Sequence, residues 1–357
     1  MADYKAIHGK NIQSLASDLD NAEGEGQIWF NTTSGDYKTI VKVAGTWATG
    51  GALNNGRKQM AGVGIYTAGI MVGGSPASHT EQYDGASWTE IADLNTPRNQ
   101  LTASGQGTTT AAVAFGGSPN PSGPTSAANE SETWDGSSWT EGDNLNTARR
   151  ALGGGGTSTA ALAFGGQTSP TTFMNESEEY DGSSWTEGDN LNTGRNALAG
   201  AGSQTAGIAI SGRKPAIGGE TEIYDGSSWT EVADLNSARH SGSGCGISTA
   251  ALCAGGEDPG VMEEVEAWDG TAWTEVADIS ERAGMGMFGT LRNAVVAGGT
   301  SDVTTTEDWD WSSTLSAGAW SSGGDLNTAR YTHGGFGSGT TAALIISGAT
   351  DPITDDD

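Results

Sequence analysis

A chain of 357 residues that sets 44 carboxylates against 16 basic side chains carries a formal charge of −28 and holds 57 glycines. An acidic surface of this size repels nucleic acid and anionic membranes, so neither is an expected partner. There is no run of 18 apolar residues to insert into a membrane, and two cysteines, Cys245 and Cys253, cannot build a disulfide framework.

Residues 1–24 lack the basic-then-apolar layout of a signal peptide and resemble nothing downstream, so they read as an N-terminal extension that a partner orders. From there the chain becomes an array. An apolar run ends in Gly-Gly, as in AAVAFGG and AALAFGG; an aromatic-Asp-Gly turn follows, then Ser-Trp-Thr-Glu, then Leu-Asn-x-x-Arg. The tryptophans of this array are Trp47, Trp88, Trp139, Trp185, Trp229, Trp273 and Trp320, spaced 41 to 51 residues apart. Its arginines are Arg57, Arg98, Arg149, Arg195, Arg239, Arg282 and Arg330. Seven units emerge, each with room for four short antiparallel strands, the third and fourth joined by the tight Asp-Gly turn whose positive φ suits glycine.

Four strands repeated at this period predict an all-β fold, a seven-bladed β-propeller. The Gly pair, the aromatic five positions before a Trp, and the later Arg make residues 39–348 similar to the kelch repeat, although ISGRKPAIGG at 210–219 departs from its pattern. The phase predicts closure by both chain ends: the segment ending at Trp47 supplies last strands, and YTHGGFGSGTTAALIISG supplies first strands of the same blade. The propeller then covers 25–348, with an acidic tail at 349–357.

One Trp per unit at fixed phase is what wedging between blades requires. The repeated arginines are expected to join blades by pairing with Asp93, Asp143, Asp189 and Asp234, and Glu90, Glu141, Glu187, Glu231 and Glu275 to form a solvated face. His8, His79, His240 and His333 fall at different phases, and no metal-binding spacing or asymmetric cluster of Tyr, His, Cys or Arg stands out. The expectation is therefore no enzyme, no cofactor and no metal. Cys245 and Cys253 lie on one hairpin and read as reduced core residues. The connections between second and third strands vary most. Residues 118–131 and 167–177 are the long ones, and Asn120, Ser122, Thr125, Asn129, Thr171, Phe173, Met174 and Asn175 are the candidate contacts.

The segment GEGQIWFNTTSGDYKTIVKVAGTW is similar to the Gly-x-Ile-Trp-Phe/Tyr-Asn-Thr stretch of structural proteins of tailed bacteriophages, particularly tail-fibre and appendage proteins of marine phages. The resemblance implies a non-enzymatic virion protein, made in the host cytoplasm, that meets other virion proteins through its N-terminal segment and a host-surface glycan or protein through its loops. The alternatives are a carbohydrate-binding propeller and a propeller enzyme of the galactose-oxidase or sialidase-like kind.

Overall fold

The computed structural model describes residues 45–76, 79–119 and 126–311, together with strand segments 13–15, 28–32, 36–41, 315–316, 334–337 and 343–346. Strands make up its regular structure, and no helix among the described residues is long and apolar enough to cross a membrane. The chain divides into two units, residues 44–312 and a second made from 1–43 and 313–357.

Residues 44–312 form a propeller of six four-stranded antiparallel blades. Blades 1 to 5 run Ala61–Ile91, Thr102–Glu141, Gly153–Glu187, Ala199–Glu231 and Ser243–Glu275. Blade 6 takes three strands from Gly286–Gly289, Asn293–Ala297 and Thr306–Asp310, and its outermost strand is Thr46–Thr49 from the other end of the unit. In that seam Trp309 faces Trp47, the same register in which Tyr83 faces Trp88 and Trp268 faces Trp273. First strands touch in the cyclic order of the blades, and blade 6 touches blade 1.

The expected seventh blade is corrected by this closure. After Asp310 no Trp-Thr-Glu follows at hairpin distance, so blade 6 lacks an outer strand of its own and takes the N-terminal one. Trp320 and Arg330, counted as a seventh unit, lie outside the described residues. The expected C-terminal hairpin pairs Gly334–Gly337 with Ala343–Ile346 as a separate two-stranded sheet. In that second unit Gln13–Leu15 runs parallel to Ile28–Asn31, which pairs with Asp36–Val41, which in turn pairs with Leu315–Ser316.

A strand buried on both faces feeds two interblade cores. In blade 2, Ala112 and Ala114 pack toward blade 1, while Val113 and Phe115 pack toward blade 3. Six hydrophobic clusters result, one at each junction. The strand-four tryptophans are wedges with a polar end. The indole N–H of Trp139 donates to Ala92 O at 3.1 Å, that of Trp229 to Asp189 O at 3.1 Å, and that of Trp88 to Thr306 Oγ1 at 3.1 Å, each reaching into the preceding blade. Burying one such ring stabilises by roughly 2 to 3 kcal/mol. Cys245 and Cys253 sit one register step apart on opposite faces of blade 5, in different clusters, both as free thiols.

The repeated arginines pair with glutamates of the third strand, not with the aspartates expected. Arg98 meets Glu132 at 2.9 Å, Arg195 meets Glu222 at 3.0 Å, Arg239 meets Glu266 at 2.6 Å and Arg282 meets Glu307 at 2.9 Å, with Arg57–Glu81 and Arg149–Glu178 alike. Asp93, Asp143, Asp189 and Asp234 are exposed instead. The Asn of Leu-Asn-x-x-Arg completes the site: Asn192 donates to Glu222 through its backbone at 2.7 Å and its amide at 2.9 Å.

The third-to-fourth strand turns hold their shape through aspartate. Asp135 accepts from the backbone N–H of Ser137 and Ser138, and Asp181 from those of Ser183 and Ser184, while the intervening Gly136 and Gly182 sit at φ of 96° and 93°. The Ser137 hydroxyl above all holds Asp135 down to about 2, and the Ser184 N–H does the same for Asp181. A depressed carboxylate contributes stability above its unfolded pKa of about 3.9 and loses it as pH falls through the folded value. Stability should therefore decline between about pH 4 and 2. Acid titration of the Asp135→Asn/Asp181→Asn variant, whose turns cannot titrate, should show a shallower decline in that window.

Candidate functional site

Two closed circuits of backbone hydrogen bonds define the axis. The residue two after each array arginine takes left-handed backbone: Gln59, Gln100, Ala151, Ala197, Ser241 and Gly284, with φ from 51° to 64°. Each donates its N–H to the carbonyl of its counterpart in the blade before, and Gln59 closes the circle by donating to Gly284 at 2.5 Å. Outside it, the N–H of the second glycine of each Gly-Gly pair donates to the carbonyl of the next blade's arginine, as Gly117 does to Arg149 at 2.8 Å, and Gly299 closes that circle on Arg57 at 2.9 Å. In blade 4 the pair is Ser211-Gly212, which explains the irregular 210–219 segment. Ser211 adopts φ of 59°, and its hydroxyl donates to the Arg239 carbonyl.

These circuits ring one mouth of an axial channel enclosing about 270 Å³, walled by the first strands. Glycines crowd that wall: a Cβ on Gly155 would stand 2.6 Å from the Gly202 carbonyl. Strand alternation puts the interblade connections and the second-to-third strand loops on this face, with the short turns on the other. At the far mouth Ile65 and Ile247 are the exposed large apolar side chains, beside Leu291.

Around the loop-face mouth the repeat stops repeating. The residue after each array arginine bridges to the residue after the Gly-Gly pair, giving Lys58/Ser75, Asn99/Ser118, Arg150/Gln167, Asn196/Arg213 and His240/Glu257, with Ala283 held by the Thr300 hydroxyl in blade 6. Six equivalent pairs carry six different chemistries. They form an asymmetric polar cluster that the sequence was not expected to hold, and Gln100, Gln167, Asn196, Arg213, His240 and Ser241 line the channel.

Arg150 organises this cluster from behind. It is 3% exposed, donates to Gln100 Oε1 at 2.8 Å and, with the Gln167 amide oxygen turned toward it, to that oxygen from both Nη atoms at 3.0 Å. In that orientation the Gln167 amide nitrogen faces the Asn196 side chain. Burial lowers the Arg150 pKa from its ordinary value, and no carboxylate among the described residues pairs with it. A buried guanidinium whose Nη groups donate to neutral amides fixes how those amides face the channel.

His240 Nδ1 lies 2.9 Å from Ser241 Oγ, and its Nε2 lies 3.9 Å from Glu257. Burial lowers the His240 pKa more than Glu257 raises it, which favours the neutral ring. The order Ser, His, Glu suggests a nucleophile triad, but 3.9 Å is beyond a hydrogen bond. The Ser241 N–H of the axial circuit already donates to the Ala197 carbonyl at 2.8 Å, and the His240 N–H to the Glu257 carbonyl at 3.2 Å.

No family model matches the sequence, and no curated protein matches it. Among solved structures, that of YjhT superposes with a TM-score of 0.60 at 15% identity, covering 72% of this chain and 95% of that one. The likeness is one of fold. At this identity it carries the propeller architecture and leaves the channel-mouth chemistry to be read from this chain.

The predicted contact loops divide. Asn120, Ser122 and Thr125 lie outside the described residues. Met174, expected to need a partner, is buried in the fold at 5% exposure, and Phe173 is half-buried in a small hairpin, Gln167–Ser169 against Thr172–Phe173. Asn129 and Asn175 donate their amides to Leu145 O and Leu191 O at 3.1 Å, tying loop to blade. Thr171 is exposed. The residues missed are those of the bridge pairs, and the signal for them was present: the columns following the Arg and the Gly-Gly pair vary in an otherwise near-identical array.

Proposed function

We propose that the chain is a non-enzymatic binding propeller, kelch-type in its repeats, that holds a polyhydroxylated ligand of the saccharide class at the loop-face mouth of its channel. The observation that supports this is the ring of six dissimilar bridge pairs on an invariant frame, with amide, guanidinium and hydroxyl groups turned to one cavity. Amides donate and accept at once, as a sugar hydroxyl does, and their orientation here is fixed in advance by Arg150. Binding without turnover fits the spent N–H groups and the open His240–Glu257 contact. The setting we propose is a virion surface, with residues 1–24 contacting neighbouring virion proteins, on the resemblance of the segment ending at Trp47 to phage appendage proteins.

A glycan array probed with the labelled protein, followed by calorimetry on the best binder, tests the ligand class. Gln100→Ala and Arg213→Ala should each weaken binding about tenfold, roughly 1.4 kcal/mol, with the melting temperature of Arg213→Ala, at an exposed position, held within about 3 °C. A silent array, or variants that bind as the parent does, refutes the reading. Mass spectrometry of purified particles tests the setting separately.

A further inference from the structure

One blade carries a nitrogen donor where its neighbours carry a carboxylate. The residue two before the buried third-strand glutamate is Glu130, Glu176, Glu220 and Glu264 in blades 2 to 5, and His79 in blade 1. Its surroundings are set by the repeat: a Glu two after the Trp, here Glu90, and an Asp or Asn before the Leu, here Asp93. In blades 4 and 5 the same three positions are all carboxylates. In blade 1 they are imidazole, carboxylate, carboxylate.

The three ligand atoms converge. His79 Nδ1 lies 3.4 Å from Glu90 Oε1 and 3.5 Å from Asp93 Oδ2, and all three atoms lie within 4.8 Å of one another. The Nδ1 atom is itself shielded from solvent and makes no hydrogen bond. Asp93 is positioned for the task because its other oxygen, Oδ1, accepts the Thr80 N–H at 2.7 Å, leaving Oδ2 to face the imidazole. Zinc bonds of about 2.0 to 2.1 Å in tetrahedral geometry put neighbouring ligand atoms roughly 3.3 Å apart. The two imidazole–carboxylate separations are close to that edge. A neutral imidazole with two carboxylates also leaves two negative charges for a dication to offset, on a chain that is strongly anionic throughout.

We propose that His79, Glu90 and Asp93 form a site for a divalent transition metal ion of the zinc class, with its remaining position open toward the loop face. Imidazole is the donor that separates such ions from calcium and magnesium, which prefer oxygen alone. The metal would pin the foot of the blade 1 loop to the end of its outermost strand. This site shares no residue with the channel mouth, and its proposal does not rest on the saccharide reading.

The test is titration of the chelator-treated full chain with Zn²⁺ by calorimetry, and with Co²⁺ by visible absorption, in the presence of excess Mg²⁺ to saturate diffuse acidic binding. One equivalent of Zn²⁺ should bind, with a tetrahedral Co²⁺ spectrum. His79→Glu installs the residue that blades 2 to 5 carry and keeps the fold. It should lower Zn²⁺ affinity at least tenfold and abolish the Co²⁺ spectrum, while His240→Ala should change neither. Absence of a stoichiometric site, displacement of the bound ion by millimolar Mg²⁺, or equal affinity in His79→Glu would overturn the assignment.

Discussion

Glu178→Ala should destabilise the propeller by about 3 to 5 kcal/mol, the cost of leaving a buried charge without its partner. Glu178 is fully buried and receives Arg149, the Asn146 N–H at 2.7 Å, the Asn146 amide at 3.0 Å and the Thr147 N–H at 3.3 Å. Removing the carboxylate strands a guanidinium and three donors together, and alanine replaces none of them. Asp189→Ala, which removes an exposed side chain at a position first expected to serve the arginine, should stay within about 0.5 kcal/mol. Denaturant midpoints followed by tryptophan fluorescence decide between them. Equal shifts for the two variants would show that the buried pair does not hold the blade.

Deleting residues 45–50 should have the larger consequence still, because it removes the strand that closes the ring. Thr46–Thr49 pairs with Thr306–Asp310 over four residues, Trp47 packs against Trp309 with ring centroids 5.1 Å apart, and the Trp47 indole donates to Ala277 O at 2.9 Å. Without that strand the third strand of blade 6 becomes an unpaired edge beside an uncovered Trp309, an arrangement that invites association. The expected product is an aggregating chain on size-exclusion chromatography. Ending the chain at 312 should by contrast leave the ring's cooperative transition in place. A soluble deletion variant with unchanged circular dichroism and unfolding would remove the seam from the account.

The fold was legible because propeller geometry repeats its demands. Glycine at the Asp-Gly turn, Trp at the wedge and Arg before the first strand are each required once per blade, so their periodicity exposed the architecture. The blade count was not legible. Trp320 and Arg330 continue the rhythm in sequence, whereas closure depends on which outer strand Thr306–Asp310 finds, a long-range choice with no local signature. The arginine partner was misread for a related reason. Asp189 and Glu222 recur equally well, and only the third strand's inward register buries the glutamate. The bridge pairs escaped notice because they carry no motif, and they are conspicuous only as variable columns once the frame is aligned.

The seam also determines how the propeller bears tension. The chain enters the ring just before Thr46 and leaves it just after Asp310, and these two residues are partners at the end of the same strand pair. A pull applied through the flanking segments therefore acts across that pair and not along it, so the bonds between Thr46–Thr49 and Thr306–Asp310 break in succession instead of sharing the load. A ring that heat or denaturant must dismantle core by core has a low-force opening when stretched by its own chain, and its lifetime under load follows the rate at which a four-residue zipper opens.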